Sequence, residues 1–219
     1  MRTLAIGDIH GCLTALETLL EFMELKADDQ LIFLGDYVDR GPQSRGVIEK
    51  LISLSQTTNA IFLRGNHDDW MLDARTNRKM FNSWLTVGGK ETLKSYGAIN
   101  LDQMPTEHFE FLEQAQFYFE TEEHIFAHAA VSERFPELNT PRWLMWGNFS
   151  EIKEHPTCKR IIVGHSAQRS GLPLDKGFVV CVDTYAYGTG WLTALDVNSN
   201  RVYQANESGE TRQFLLSSI

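Results

Sequence analysis

The sequence predicts an α/β fold built on parallel strands, and three observations predict it. Short β-type runs alternate with helical patterns through the first third of the chain, each run ends in glycine and a polar cluster, and a helical crossover fits between successive runs. The first run, Thr3 to Ile6, reads as a buried strand leading into Gly7-Asp8-Ile9-His10-Gly11. Thr14-Ala15-Leu16-Glu17 then has capping-box spacing, and Leu13, Leu16, Leu20 and Met23 recur at helical intervals, which predicts a helix from about Thr14 to Glu24. Leu31 to Leu34 is the second strand, ending in Gly35-Asp36. Beyond Pro42, the residues Val47, Ile48, Leu51 and Ile52 mark a second amphipathic helix, and Ala60 to Leu63 is a third strand that stops at Arg64-Gly65-Asn66-His67. Strand, helix, strand, helix, strand implies two right-handed crossovers and a parallel sheet.

Asp68 to Gln114 reads as helical insertions around a Val87-Gly88-Gly89-Lys90 loop. β-like runs follow at Phe117 to Phe119, His124 to Ala127, Ile161 to Val163, Phe178 to Val182 and Trp191 to Val197. Ser132 to Pro156 has no clear period and is assigned no element. With no repeat, low-complexity tract or linker rich in Pro, Gly or Ser, residues 1–219 are expected to form one domain.

Twenty Lys and Arg against 29 Asp and Glu give a net charge of −9, the wrong sign for a surface that holds nucleic acid or anionic lipid. No apolar stretch approaches the roughly 18 residues of a membrane span, and Leu4 to Ile6 is too short for a signal segment. Cys12, Cys158 and Cys181 form no Cys-x-x-Cys pair. These features predict a cytoplasmic protein with no nucleic-acid or membrane partner, and a monomer rather than an oligomer.

Five strand ends carry chemistry: Asp8 and His10; Asp36, Asp39 and Arg40; Asn66 and His67; His128; and His165 after Gly164. In an open α/β sheet the crevice outside the carboxyl ends of the strands is where ligands bind, so the fold itself gathers these groups. Independent turns have no reason to supply Asp or His at five successive strand ends. Hard oxygen donors with neutral imidazoles suit manganese, iron, zinc or magnesium. So many donors suit two ions, with a carboxylate bridging them.

Other patterns carry less. His124 and His128 have the His-x-x-x-His spacing of a helical zinc site, but Ile125-Phe126-Ala127 between them is strand-like and no Glu follows His124. His108, His124 and His155 are expected to be core or surface histidines. Gly88-Gly89-Lys90 lacks both the spaced glycine and the Ser or Thr of a phosphate loop. Asn148-Phe149-Ser150 reads as a turn, Cys12 as a small buried residue, and the aromatic group around Trp143 and Trp146 as core.

Taken together, Gly7-Asp8-Ile9-His10-Gly11, Gly35-Asp36-Tyr37-Val38-Asp39-Arg40-Gly41, Gly65-Asn66-His67-Asp68, His128-Ala129-Ala130 and Gly164-His165-Ser166 resemble the phosphoprotein phosphatase (PPP) family of calcineurin-like metallophosphoesterases, in its bacterial serine/threonine form. Val182-Asp183-Thr184 is similar to the family's closing element. The resemblance implies a two-layer mixed β-sandwich flanked by helices, with a dinuclear centre at one edge. It places Asp8 and His10 on a first metal, Asp36 between the two, and Asn66, His128 and His165 on the second. Manganese is the first expectation for both ions. It gives Arg40 the phosphate oxygens, His67 the role of general acid, Asp39 that of orienting His67, and Asp183 that of supporting a ligand histidine. The implied activity is hydrolysis of phosphoserine and phosphothreonine in proteins, with phosphotyrosine as a further substrate, by a metal-bridging hydroxide. The alternative substrate is a dinucleoside polyphosphate such as diadenosine tetraphosphate, or another small phosphoester. Two departures stand out. Asp68 replaces the usual glutamate, and Trp146-Gly147-Asn148 lacks the family's second arginine, leaving Arg134, Arg142 and Arg169 as unranked candidates.

Overall fold

Eleven strands and seven α-helices are seen in the computed structural model, which describes residues 1–132 and 139–218. The strands are β1 (Thr3–Ile6), β2 (Gln30–Phe33), β3 (Asn59–Phe62), β4 (Tyr118–Glu120), β5 (His124–Ala127), β6 (Arg160–Val163), β7 (Leu174–Asp175), β8 (Val179–Cys181), β9 (Leu192–Asp196), β10 (Arg201–Ala205) and β11 (Thr211–Leu215). The helices are α1 (Leu13–Phe22), α2 (Ser44–Thr57), α3 (Asn66–Thr76), α4 (Arg78–Trp84), α5 (Lys90–Tyr96), α6 (Thr106–Gln114) and α7 (Pro141–Trp146). Among the described residues, no helix is long and apolar enough to cross a membrane.

One sheet runs β11-β10-β9-β1-β2-β3 and the other β4-β5-β6-β8-β7. β1, β2 and β3 are parallel, with Leu4 opposite Leu31 and Leu31 opposite Ala60. In the second sheet β5, β6 and β8 are parallel, and β4 and β7 close its edges antiparallel. The sheets are therefore mixed, where the first three strands alone predict a parallel one. Antiparallel β9 pairs with β1, and β10 and β11 extend that side as hairpins that need no crossover.

Side chains of a strand alternate between its faces, and here both faces are apolar. Leu4, Ile6, Leu31 and Phe33 pack with Leu16, Leu19, Val47 and Leu51 of α1 and α2. Ala5, Ile32, Phe126, Ile162, Val180 and Leu195 meet between the two sheets. Ile125, Ile161, Val163 and Val179 pack with Leu144 of α7 and with Phe149. The layers run helix, sheet, sheet, helix. Burial on both faces is why the strand runs read as continuously apolar instead of alternating.

Helix α1 departs from the capping box read in Thr14 and Glu17. It begins at Leu13, with Cys12 at its N-cap and no side-chain cap from that residue. The Ala15 amide donates instead to Glu207 Oε1 at 3.1 Å, so a carboxylate next to the β10–β11 turn caps a helix 192 residues away. An anion there also suits the positive end of the helix.

Candidate active site at the strand ends

The turns after β1, β2, β5 and β6, and the start of α3 after β3, bring all nine predicted residues into one contact network. His10 Nε2 lies 3.3 Å from Asp36 and 3.9 Å from Asp8. His128 Nε2 lies 3.5 Å from Asp36 and 2.9 Å from Asn66 Oδ1, which is itself 2.8 Å from His165 Nδ1. The His165 amide donates to both Asp8 oxygens at 3.1 Å. On the other flank, His67 Nδ1 is 2.7 Å from Asp39, and the Arg40 guanidinium spans His10 Nε2 at 2.9 Å and His67 Nε2 at 2.8 Å.

The backbone bends sharply to achieve this. His10, Asp36, Asp39, Arg40 and His165 all have positive φ, between 46° and 73°. Non-glycine residues adopt that region only at a cost, which folds tolerate at functional sites. Gly164 shows how close the approach is, since a Cβ there would lie 2.1 Å from Asp8 Oδ1.

The donors fit a pair of divalent cations. Two groups of side chains present their donor atoms within 4.8 Å of one another, His10 with Asp36 and His67, and Asp36 with His128 and His165. Asp36 belongs to both, as a bridging residue must. The first group contains His67 where the resemblance implies Asp8, although Asp8 adjoins it through His10. The Nδ1–H groups of His10 and His128 donate to the carbonyls of Val38 and Leu34, each at 2.9 Å, which leaves the Nε2 lone pairs facing inward. Burial lowers the pKa of His10 and His128 and takes His165 down to about 4, so all three are neutral and able to bind metal at neutral pH. Burial pushes the Asp36 carboxyl upward, but the surrounding histidines hold it well below the usual range.

Asp183 also fits a cation at this site. Its Oδ1 accepts the Tyr185 amide at 3.1 Å, while Oδ2 is buried with no hydrogen-bond partner among the described residues. Among the described residues it bonds no histidine, where the resemblance implies that it supports one. It lies against Asp8 instead: burial, then Asp183 and Asp36, push Asp8 well above the carboxylate range, and burial pushes Asp183 to about 6. Two adjoining buried carboxylates, one with an orphaned oxygen, call for a cation nearby.

Several contributors were not legible as such. The Asp39 carboxylate accepts Trp84 Nε1 at 3.0 Å and Thr92 Oγ1 at 2.8 Å, both from the helical insertion. Asp68 accepts the amides of Asp36, Tyr37 and Gly65 at 2.8, 2.9 and 2.9 Å, so its shorter side chain makes the supporting bonds that its departure from glutamate put in question. The Tyr187 ring lies 4.5 Å from the Arg40 guanidinium and meets His10 edge-on. Gly88 and Gly89 approach Arg40 and the Trp84 ring closely.

Of the candidate second arginines, Arg134 lies outside the described residues. Arg142 lines an open cleft of about 480 Å³ with Trp70, Met145 and Trp146. The rings of Trp70 and Trp146 meet at 5.5 Å and reach His67 and His165, each at 6.3 Å. Arg169 lies over Tyr185, which stacks edge-on with Tyr187 on the Arg40 side. Asn148, where the arginine would be sought, turns its side chain onto the Ser150 amide. His108 bonds Tyr96 and His155 bonds Thr157, while His124 sits in β5, all away from the centre. Cys12 is buried, and burial pushes its thiol well up, so it is no nucleophile.

Two mixed sheets packed face to face, with carboxylates and imidazoles crowded at the ends of their parallel strands, define a metallophosphoesterase. The model of the calcineurin-like phosphoesterase family matches residues 1–195, and the chain belongs to that family. A 69-residue stretch is 42% identical to a symmetrical bis(5'-nucleosyl)-tetraphosphatase of Janthinobacterium sp. (strain Marseille), covering 31% of this chain and 24% of that protein. An 85-residue stretch is 39% identical to serine/threonine-protein phosphatase 1 of Salmonella typhimurium, covering 38% of this chain and 37% of that one. The matches thus span only 24% and 37% of these curated relatives. The cold-active protein-tyrosine phosphatase of a psychrophilic Shewanella shares the fold over 97% of this chain and 80% of its own, with a TM-score of 0.69 and 18% identity.

Proposed function

We propose that the chain is a metal-dependent phosphomonoesterase that hydrolyses phosphoserine and phosphothreonine in proteins, with phosphotyrosine as a further substrate. The observation that carries this reading is the Arg40, His67 and Asp39 set beside the metal-suited donors. Asp8, His10 and Asp36 would hold one divalent ion, and Asp36, Asn66, His128 and His165 the other. Two ions held there, with manganese favoured and iron, zinc or magnesium also suited, would supply an acidified water and charge compensation for the phosphoryl oxygens.

The side chains do the rest. Arg40 offers a planar fork to the phosphate oxygens and sets the ester in line with the attacking water. Asp39 accepts the Nδ1–H of His67, which holds Nε2 on the Arg40 side, 2.8 Å from the guanidinium, where the phosphate ester would lie. Burial pulls the His67 imidazole down, but Asp36 and the hydrogen bond to Asp39 outweigh it and raise its pKa. A serine or threonine alkoxide is a poor leaving group, so this proton is worth about 10²- to 10⁴-fold in rate. Assay of the metal-loaded protein on phosphopeptides tests the reading. Absence of turnover, or full activity in Asp36→Asn, would overturn it.

A second reading, hydrolysis of dinucleoside polyphosphates, is favoured by the cleft beside the centre. Trp70 and Trp146 offer aromatic faces, and Arg142 a cation for a further phosphate. Comparing kcat/KM for diadenosine tetraphosphate and a phosphopeptide separates the two.

A further inference from the structure

We propose that Trp84 and Thr92, from the helical insertion between β3 and β4, are positioning residues for the proton donor: they hold the Asp39 carboxylate and, through it, His67. This rests on the reading of His67 as general acid.

Asp39 is fully buried. To steady a protonated imidazole its carboxylate must stay ionised, and a buried ion is tolerated only when well hydrogen-bonded. Trp84 Nε1 lies 3.0 Å from each carboxylate oxygen, and Thr92 Oγ1 donates to Oδ1 at 2.8 Å. An indole N–H can only donate, so Trp84 presents a hydrogen whatever its surroundings. Thr92 grips the residue twice, because Oγ1 also accepts the Asp39 amide at 2.9 Å. Ser44 Oγ stands 3.2 Å from that amide and 3.1 Å from Thr92 Oγ1.

The double grip has a backbone reason. Asp39 and Arg40 sit at φ 73° and 68°, where neither residue stays without support. The Gly88 carbonyl accepts the Arg40 amide at 3.3 Å. Gly88 itself has φ 132°, and a Cβ there would lie 2.6 Å from Arg40 N. Gly89 passes under the Trp84 ring so closely that a Cβ would meet it at 2.4 Å. The insertion thus clamps the Asp39–Arg40 turn from one side, and its Trp84 and Thr92 side chains reach the centre through Asp39.

In the reaction, a P–O bond forms to water as the P–O bond to the leaving oxygen breaks. That oxygen takes the His67 Nε2 proton, and the attacking water gives up a proton that restores the imidazole. Loosening Asp39 should therefore hurt substrates that need the proton and spare those that do not. The test compares a phosphoserine peptide with p-nitrophenyl phosphate, whose phenolate leaves unaided, in Trp84→Phe, Thr92→Val and Thr92→Ser. The proposal expects Trp84→Phe and Thr92→Val to lose about 10-fold in kcat on the peptide, a share of the full acid effect, and less than about 3-fold on the aryl ester. Thr92→Ser should restore the peptide rate. Equal losses on both substrates, or no loss on either, would overturn it. If Trp84→Phe does not fold, the Thr92 pair decides. His67→Ala is the control for the parent reading: if it falls equally on both substrates, His67 is not the acid and that reading fails first.

Discussion

Residues 8 to 67 and residues 84 to 92 serve the same crevice by different means. In the first stretch each strand ends in a side chain that itself does chemistry: Asp8, His10, Asp36, Arg40, Asn66 and His67 all point donors or charge into one space. In the second stretch the contributions are an indole N–H, a hydroxyl and two glycines, and they act on Asp39 and the Arg40 backbone. The sheet supplies the reacting groups because parallel strands all end at one edge. The helices supply the rigidity, because strained turns with positive φ need support from outside the sheet.

The two regions should fail differently when broken. The largest effect belongs to Asp36, the carboxylate shared by both donor groups. Asp36→Asn should lower kcat by more than about 100-fold, beyond the loss typical of residues that merely support a ligand, and metal analysis should show depleted binding. Gly88→Ala breaks the other region: it should destabilise the protein by about 3 kcal/mol through strain at φ 132° and contact with Arg40. Urea unfolding would show it, with metal content retained in the folded fraction.

Asp183→Asn sharpens the comparison in the opposite sense. With the metals stripped by chelator, replacing the buried carboxylate should stabilise the fold by about 1 kcal/mol, since it removes a charge with an orphaned oxygen. The same variant should bind divalent cations more weakly by calorimetry. The smallest effect lies far from the crevice. Asp29 accepts Arg2 Nε at 3.1 Å and the Lys26 amide at 2.8 Å, and the hydrogen bond to Arg2, against the opposing effect of burial, holds its carboxyl down at about 2. A carboxyl depressed in the folded state gives stability that is present above about pH 4 and lost as pH falls through about 2. Partial exposure of Arg2 limits this to about 0.5 kcal/mol. Asp29→Asn should remove that part of the acid dependence in a denaturation series.

The sequence told the strand ends apart from ordinary turns because Asp, His and Asn have visible chemistry and recur at fixed places. Thus all nine predicted residues lie in one network, and β1, β2 and β3 lie within a residue of where the apolar runs put them. β10 and β11 were not read, because β11 is an edge strand with exposed residues and no apolar run. Trp84 and Thr92 were not read either. Inside a helical stretch a tryptophan looks like core and a threonine like a neutral surface residue, and only the folded geometry aims both at Asp39. The capping of α1 by Glu207 escaped for the same reason: the partner is 192 residues away.

In the proposed function these side chains would hold two divalent ions for hydrolysis of a phosphoester. The direct measurement is metal content per chain, by elemental analysis, titrated alongside phosphopeptide turnover after chelation and stepwise return of manganese. Activity should rise with the ions and saturate at two per chain, and Asp36→Asn should bind fewer and stay inactive. Full activity at one ion or none would contradict it.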